Sequence, residues 1–169
     1  MSQTAKRCAV VAVVAIAALL PQFKTLKISE GGLQLIADAE GCRTSAYQCS
    51  AGVWTTGIGH TAGVTAQSRV SERQAAVNLV YDVMRVERQL DACVPVAMPV
   101  PVYDALVSFA FNVGTGAACR STLASHLKRQ QWRQACDQLD RWVYVNGVRN
   151  KGIENRRERE KAWCLKGVP

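Results

Sequence analysis

Histidine and closely spaced cysteine pairs, from which most protein zinc sites are built, are scarce in this sequence. Only His60 and His126 are present among 169 residues. The seven cysteines include no Cys-x-x-Cys pair and no cysteine–histidine cluster with the spacing of zinc ligands. We therefore expect neither a metal site nor a bound cofactor.

The sequence also lacks a hydrophobic run long enough for a permanent membrane span. The apolar run Cys8–Leu20 has thirteen uncharged residues. A helix of that length spans about 20 Å, whereas the hydrocarbon core of a bilayer is roughly 30 Å thick. Lys6 and Arg7 precede the run, as in a secretory signal, with Ala15–Ala17 as a candidate cleavage site. A buried core helix is the other alternative, although the flanking lysines and arginine disfavour it.

Acidic residues are fewer than basic residues, and most of the difference lies in the carboxyl-terminal part of the chain. The formal net charge is +8; residues 120–169 carry 12 basic and 5 acidic side chains, whereas residues 1–119 carry 9 and 8. A basic half attracts nucleic acid, anionic lipid or an acidic cell-wall polymer, unless its charges only keep helix faces soluble. No nucleic-acid reader motif is present, and nucleic-acid binding explains neither the export-type segment nor the cysteines. We expect no nucleic-acid partner.

Cysteine itself is abundant. Seven cysteines exceed what an ordinary reduced enzyme needs, and they favour disulfides in an oxidising compartment such as a bacterial periplasm. Because the number is odd, one thiol stays unpaired in a monomer.

Apolar spacing predicts a mainly helical α+β protein. Its length suits a single domain with a real core. The Gly-rich stretch Glu40–His60 suits turns and a small antiparallel sheet. Ser71 and Gln74 form a capping box at the start of a helix of about twenty residues. The other predicted helices are Leu33–Glu40, a buried Val102–Val113, Ser121–Arg129, Gln131–Val145 and Gly152–Leu165.

Glu40 is the first candidate catalytic residue. It follows Leu33, Ile36 and Ala37 on one helical face, and Gly41 ends the helix. Desolvation at the end of an apolar stripe should raise its pKa and keep it protonated, as a general acid for a glycosidic oxygen requires. The alternative is a solvated glutamate at a helix end.

The spacing around Glu40 carries a family resemblance. Glu40, Cys49 and Thr55, followed by Gly57–His60, resemble the catalytic signature of the bacteriophage lysozymes, the T-even phage type of endolysin. Most of that family has aspartate at the middle position and one branch has cysteine. The resemblance implies that Glu40 is the general acid, that Cys49 occupies the Asp/Cys position and that Thr55 helps to hold the attacking water. His60 either tunes this region or is structural.

Two further segments extend the resemblance over residues 30–165. The first, Phe109–Gly116, is similar to a family segment. Its Gly114–Gly116 part is not interpreted as a phosphate-binding loop, because no strand precedes it and no lysine follows. Asn155–Arg159 resembles the family's Asn-Arg-x-x-Arg segment, which implies that Arg156 pairs with Glu40; Arg157 and Arg159 are expected to be solvated. The implied fold has two lobes, a small antiparallel sheet and a long linking helix.

The amino-terminal segment resembles the signal-arrest-release (SAR) domain of some phage endolysins. This implies a signal-anchor segment and connector over residues 1–28 and a muramidase domain over 29–169. Such a segment exports the enzyme uncleaved, holds it inactive on the periplasmic side of the inner membrane and later releases it to the periplasm. The resemblance also implies a holin-type partner. A secreted lysozyme with a cleaved signal peptide is the alternative.

The cysteines then suggest a switch. Cys42 and Cys49 flank a short loop, so a bond between them would block Cys49. Once Cys8 leaves the bilayer, it could attack Cys42 and free Cys49 by exchange, as in the Cys-type SAR endolysins. The alternative is that Cys8 is only a small apolar residue of the membrane segment and takes no part in a switch. For the remaining four cysteines we expect Cys93–Cys164 and Cys119–Cys136, with the two other pairings left open.

The implied reaction is hydrolysis of peptidoglycan between N-acetylmuramic acid and N-acetylglucosamine by a monomeric enzyme. Glu40 would protonate the leaving oxygen while a water held by Cys49 and Thr55 attacks. A thiol with a pKa of ~8.5 is a poor base unless its surroundings lower that value. Two alternative roles for Cys49 stay open: it could attack the substrate directly as a nucleophile, or it could merely polarise the water.

A non-catalytic cell-wall-binding protein of the same fold is the alternative function.

Overall fold

The computed structural model describes residues 6–49 and 51–169. The first five residues of the predicted export segment, and Ser50 within Glu40–His60, lie outside these ranges. The described α-helices are α1 (Val10–Leu19), α2 (Glu30–Glu40), α3 (Glu72–Cys93), α4 (Val100–Val113), α5 (Thr115–Cys119), α6 (Thr122–Lys128), α7 (Trp132–Asp137) and α8 (Lys151–Leu165). The described strands are β1 (Arg43–Gln48), β2 (Trp54–Gly57), β3 (Tyr144–Val145) and β4 (Val148–Arg149), and short 3₁₀ helices span Pro21–Thr25 and Gln138–Arg141. The predicted mainly helical α+β class is confirmed.

The chain divides into two compact units. The first contains the described residues up to Leu26 together with Ile36–Met84, and the second contains Lys27–Leu35 together with Arg85–Pro169. Helices α2 and α3 each contribute residues to both units. The predicted domain division at residue 28 stays a prediction.

The first unit is built around the antiparallel pair β1–β2, in which Tyr47 lies opposite Thr55. The amino-terminal residues also pair with the start of β1 and the residue before it: the Cys8 N–H donates to the Cys42 carbonyl at 3.2 Å, and the Thr44 N–H donates to the Lys6 carbonyl at 2.9 Å. The segment that precedes α1 is therefore part of the folded unit.

Helix α1 packs one face into the same unit. Val13, Val14 and Ala17 are buried, and burial of each valine contributes about 1.5–3 kcal/mol. The opposite face is open, with Val11 72% exposed and Leu19 83% exposed. None of the described helices combines the length and apolarity that a membrane crossing requires.

The core of the second unit is α4, of which the nine consecutive residues 102–110 are buried. Phe109 meets the Trp142 ring edge-on at a centroid distance of 5.0 Å. Asp104 is buried too, and it accepts hydrogen bonds from the Ser29 N–H at 2.8 Å and the Trp163 indole N–H at 3.0 Å. The predicted buried central helix is confirmed, beginning two residues earlier than expected.

The predicted helix Gln131–Val145 is wrong in its second half. Helix α7 ends at Asp137, a 3₁₀ helix spans Gln138–Arg141, and the last two residues of the predicted helix form β3, which pairs with β4 in a hairpin. Asn146 and Gly147 connect these strands with φ angles of 50° and 77°. An Asn-Gly pair accepts two consecutive left-handed conformations, which two-residue hairpin turns require.

The expected pairing of the last four cysteines is also wrong. The structure joins Cys93 to Cys119 and Cys136 to Cys164, with Cα–Cα distances of 5.7 and 5.8 Å. The short helix α5, which the sequence analysis did not predict, ends at Cys119 and brings it to the end of α3. Helix α7 packs on α8, which brings Cys136 to Cys164.

Candidate active site

Glu40 is the last residue of α2. Leu33, Ile36 and Ala37 on its helical face are fully buried, and Glu40 itself is half-buried. Gly41 adopts a φ of 69°, the left-handed conformation that glycine permits, and the chain then turns into β1. The predicted end of the helix is confirmed, whereas its start at Glu30 is three residues earlier than expected. The carboxyl group lies where the apolar stripe ends.

Cys49 directly follows β1 in the turn to β2. Its N–H donates to the Val53 carbonyl at 3.0 Å, and the Gly52 N–H donates to the Cys49 carbonyl at 2.8 Å. The sulfur carries no disulfide and is partly exposed. Hydrogen bonds from the Ala51 and Val53 N–H groups and the Thr55 hydroxyl lower the pKa of the thiol, although desolvation opposes them. The turn therefore favours the thiolate more than an ordinary surface cysteine does.

Thr55 lies on β2, opposite Tyr47, and is buried. Its hydroxyl oxygen is 3.1 Å from the Val53 carbonyl oxygen. The hydroxyl has one proton, so it donates either to this carbonyl or to the Cys49 sulfur at a given moment. In either state its oxygen lone pairs remain available to accept a hydrogen bond from water.

Tyr47 is a member of this site that the sequence analysis missed. Burial raises the pKa of its hydroxyl, and the negative charges of Glu40 and Cys49 raise it further, whereas the positive charge of Arg43 opposes them. The Arg43 guanidinium carbon lies 4.3 Å from the centre of the Tyr47 ring. Tyr47 therefore shares the electrostatic environment of both candidate catalytic groups. The available signal was proximity in sequence, because Tyr47 lies near the end of β1, two residues before Cys49.

His60 is held by a carboxylate and by backbone. Its Nδ1 atom is 2.7 Å from the Asp82 Oδ2 atom, with about 15% of each side chain exposed. Its N–H and carbonyl pair with those of Thr56. These bonds connect the end of β2 to α3, which is the kind of contact that a structural role requires. The alternative role of His60, in tuning the active site, stays a prediction.

Arg156 lies in α8, in the second unit. Its Nε atom donates to a Glu160 carboxylate oxygen at 3.0 Å, and its Nη2 atom donates to the Ser108 carbonyl at 3.1 Å. Arg157 is 1% exposed and also bonds Glu160, so the expectation that Arg157 is solvated is wrong. The fully buried Glu160 carboxylate pairs with both guanidinium groups, and Arg157 also donates to the Trp142 carbonyl at 3.1 Å, so this burial is accompanied by polar partners. Pairing of Arg156 with Glu40 stays a prediction.

No group of three or more histidine, cysteine, aspartate or glutamate side chains in residues 6–49 and 51–169 is arranged to hold a metal ion.

The sequence matches the phage lysozyme family over residues 37–160, which include Glu40, Cys49, Thr55 and Arg156. The chain belongs to the phage lysozyme family. This phage lysozyme is 34% identical, over 155 residues, to the SAR-endolysin of Escherichia phage P1, with 85% of this chain and 84% of that protein covered. It is therefore a muramidase of the endolysin class.

Two crystal structures of the P1 phage endolysin Lyz differ in their similarity to this phage lysozyme. The active form has a TM-score of 0.85 at 31% identity, covering 96% of this chain and 97% of that one. The secreted inactive form has a TM-score of 0.57 at 33% identity, covering 83% and 97%.

Proposed function

We propose that this phage lysozyme hydrolyses the bond between N-acetylmuramic acid and N-acetylglucosamine in peptidoglycan with Glu40, Cys49 and Thr55 as its catalytic residues. The observation that carries this proposal is the environment of Cys49. Its sulfur has no disulfide partner and accepts hydrogen bonds from the Ala51 and Val53 N–H groups. A thiolate stabilised in this way can take the role that aspartate has in most of the family.

The proposed reaction follows the inverting scheme. Glu40 gives its proton to the leaving glycosidic oxygen as the bond from the anomeric carbon to that oxygen breaks. A water molecule held by Thr55 gives a proton to the Cys49 thiolate, and its oxygen bonds to the anomeric carbon. Glu40 ends deprotonated and Cys49 protonated, so a proton returns from Cys49 to Glu40 through solvent before the next turnover.

Analysis of digested cell walls tests this proposal. Purified full-length protein, with Cys49 shown to be free by alkylation and mass spectrometry, is incubated with isolated peptidoglycan. We expect soluble muropeptides with new reducing ends on N-acetylmuramic acid. Intact glycan strands that retain the bound protein would favour the non-catalytic wall-binding alternative. Binding to DNA without any effect on walls would favour the nucleic-acid alternative.

We further propose that disulfide exchange activates the enzyme. In the structure Cys8 is joined to Cys42, and Cys49 is free. A Cys42–Cys49 bond is incompatible with β1, because seven residues of extended chain span roughly 23 Å, whereas bonded cysteines have Cα atoms within about 7 Å. The blocked state therefore requires a different arrangement of residues 42–49. The TM-scores of 0.85 and 0.57 to the active and inactive forms of the P1 endolysin support two such states.

The exchange step is balanced without an outside oxidant. The Cys8 thiolate attacks the Cys42 sulfur of a Cys42–Cys49 bond, the Cys8–Cys42 bond forms, and Cys49 leaves as a thiolate. The Ala51 and Val53 N–H groups stabilise that leaving thiolate in the exchanged state. The turn that suits Cys49 for catalysis thus also favours its release.

The amino-terminal segment supplies the trigger in this proposal. It exports the protein uncleaved, tethers it at the inner membrane and, once released, docks as α1 with Cys8 beside Cys42. Buried Val13, Val14 and Ala17 support the docked state. Signal cleavage within Ala15–Ala17 would remove Cys8, leaving Cys42 without this partner, so the cleaved-signal alternative predicts a mature protein without the Cys8–Cys42 bond. A holin-type protein that collapses the membrane potential is the proposed release partner.

A further inference from the structure

Residues 6–8, the amino-terminal strand, lie along the edge of β1 that β2 does not occupy. Arg7 pairs with Arg43 in an antiparallel bridge, and this register places Cys8 directly opposite Cys42. Opposite residues in a hydrogen-bonded antiparallel pair have Cα atoms about 5.5 Å apart, and a disulfide requires roughly 4.4–6.8 Å. Backbone pairing alone therefore brings the two cysteines to bonding distance.

Thr44 fixes one end of the amino-terminal strand. Its backbone N–H and its hydroxyl both donate to the Lys6 carbonyl, each at 2.9 Å. The Thr44 carbonyl accepts from the Val70 N–H at 2.8 Å, so residues 68–70 already occupy the next positions along the same edge. The strand therefore cannot slide past Thr44. This matters because a shift of register by one residue would turn the Cys8 side chain to the other face of the sheet.

Glu72 fixes the other end. One oxygen of its carboxylate accepts from the Ala9 N–H at 3.0 Å. Ala9 is the residue directly before α1, where backbone N–H groups lack partners within the helix and a negative charge is favourable. The carboxylate thus binds the end of the amino-terminal strand and the start of α1 together.

The docked strand and a Cys42–Cys49 bond compete for the same residues. Strand pairing needs residues 42–44 in extended form at the start of β1, whereas the bond needs residues 42–49 in a different arrangement. Docking of the amino-terminal strand therefore favours the state with free Cys49 through backbone pairing, in addition to the disulfide that it forms.

We propose that Thr44 and Glu72 are positioning residues for the activating exchange. They bind the amino-terminal strand in one register, and this selects Cys8 over Cys49 as the partner of Cys42. Neither positioning residue gains or loses a proton in the exchange, which remains attack of one thiolate on the Cys42 sulfur. The inference rests on the proposed exchange, whereas the docking rests on the hydrogen bonds of Thr44 and Glu72.

The ratio of two disulfides tests this proposal. Full-length protein is equilibrated with reduced and oxidised glutathione, free thiols are alkylated, and the Cys8–Cys42 and Cys42–Cys49 bonds are quantified by mass spectrometry. Because both bonds use Cys42, their ratio does not depend on the glutathione potential. Thr44→Val keeps the β-branched shape without the hydroxyl and should lower the ratio roughly fivefold, the effect of one hydrogen bond. Thr44→Ser keeps the hydroxyl and should restore the ratio.

Glu72 provides an independent test. Glu72→Ala removes the acceptor for the Ala9 N–H and should lower the ratio roughly tenfold, whereas Glu72→Gln keeps an acceptor oxygen and should recover most of it. Thr61→Val, at an exposed threonine of the same unit, is the control and should leave the ratio unchanged. An unchanged ratio in Thr44→Val and Glu72→Ala, an equal fall in Thr61→Val, or absence of the Cys42–Cys49 bond from every variant would overturn the proposal.

Wall lysis measured on the same samples separates this inference from the proposed catalysis. Lysis should follow the fraction of protein in which Cys49 is free. A ratio that falls as expected in samples that never lyse walls would support the role of the amino-terminal strand and contradict the catalytic role of Cys49.

Discussion

Replacement of Glu40 by glutamine is expected to reduce the rate of wall hydrolysis by roughly 10²–10⁴-fold, the usual contribution of a general acid. The amide has the same shape but cannot donate a proton of comparable acidity to the leaving oxygen. Since Glu40 lies at the end of α2 and is only half-buried, the substitution leaves the apolar stripe of Leu33, Ile36 and Ala37 in place. The Tm should therefore stay close to that of the wild type.

The rate of release of new reducing ends from peptidoglycan, measured beside thermal unfolding, checks this prediction. Glu30→Gln is the matched control, because Glu30 is an exposed glutamate in the first turn of the same helix. It should retain wild-type activity. A stable Glu40→Gln protein that hydrolyses walls at the wild-type rate would remove Glu40 from the catalytic role.

Replacement of Cys8 by serine is expected to leave the exported protein with a Cys42–Cys49 bond and at least roughly 100-fold less active, because a blocked Cys49 cannot act as a base. Cys8 is the partner of Cys42 in the structure, with a Cα–Cα distance of 5.2 Å. Without it, nothing attacks the Cys42 sulfur and β1 cannot form. Lytic rate and a disulfide map of protein recovered from the periplasm give the two readouts.

The double variant Cys8→Ser/Cys42→Ser is the control for this prediction. It removes both possible partners of Cys49, so Cys49 stays free and lytic activity should return without any exchange. If Cys8→Ser alone is fully active with Cys42 and Cys49 both reduced, the lysozyme remains but the disulfide switch is wrong.

The helices with long apolar periodicity could be predicted from the sequence. Helices α2 and α3 lie where apolar spacing indicated them, α4 lies where an almost wholly apolar run did, and Ser71 caps α3 through its hydroxyl, which accepts from the Gln74 N–H at 3.0 Å. Periodicity was less informative after Asp137, since the continuous apolar run Trp142–Val145 suits either a helix or a short hairpin. There the Asn146-Gly147 turn decided the outcome.

The cysteine pairing and the thiolate environment depend on contacts that the sequence pattern does not contain. Cys119 reaches Cys93 because a five-residue helix, too short for a periodic signal, ends there. The groups that lower the pKa of Cys49 are mainly the backbone N–H groups of Ala51 and Val53, and turn geometry, not side-chain type, directs them at the sulfur. The signature Glu40, Cys49 and Thr55 could be read from spacing, but the reason that cysteine suits the middle position could not.

Lysis is expected to depend on free, readily ionised Cys49, and alkylation across pH tests this dependence. Full-length protein with its Cys8–Cys42 bond intact is treated with iodoacetamide from pH 5 to 10, and modified Cys49 and wall lysis are measured on the same samples. Because hydrogen bonds lower the pKa of Cys49, the midpoint of its alkylation rate should lie below the ~8.5 of an ordinary thiol, and lysis should disappear in step with modification. Full lytic activity in protein whose Cys49 is completely alkylated would show that Cys49 is not the catalytic base.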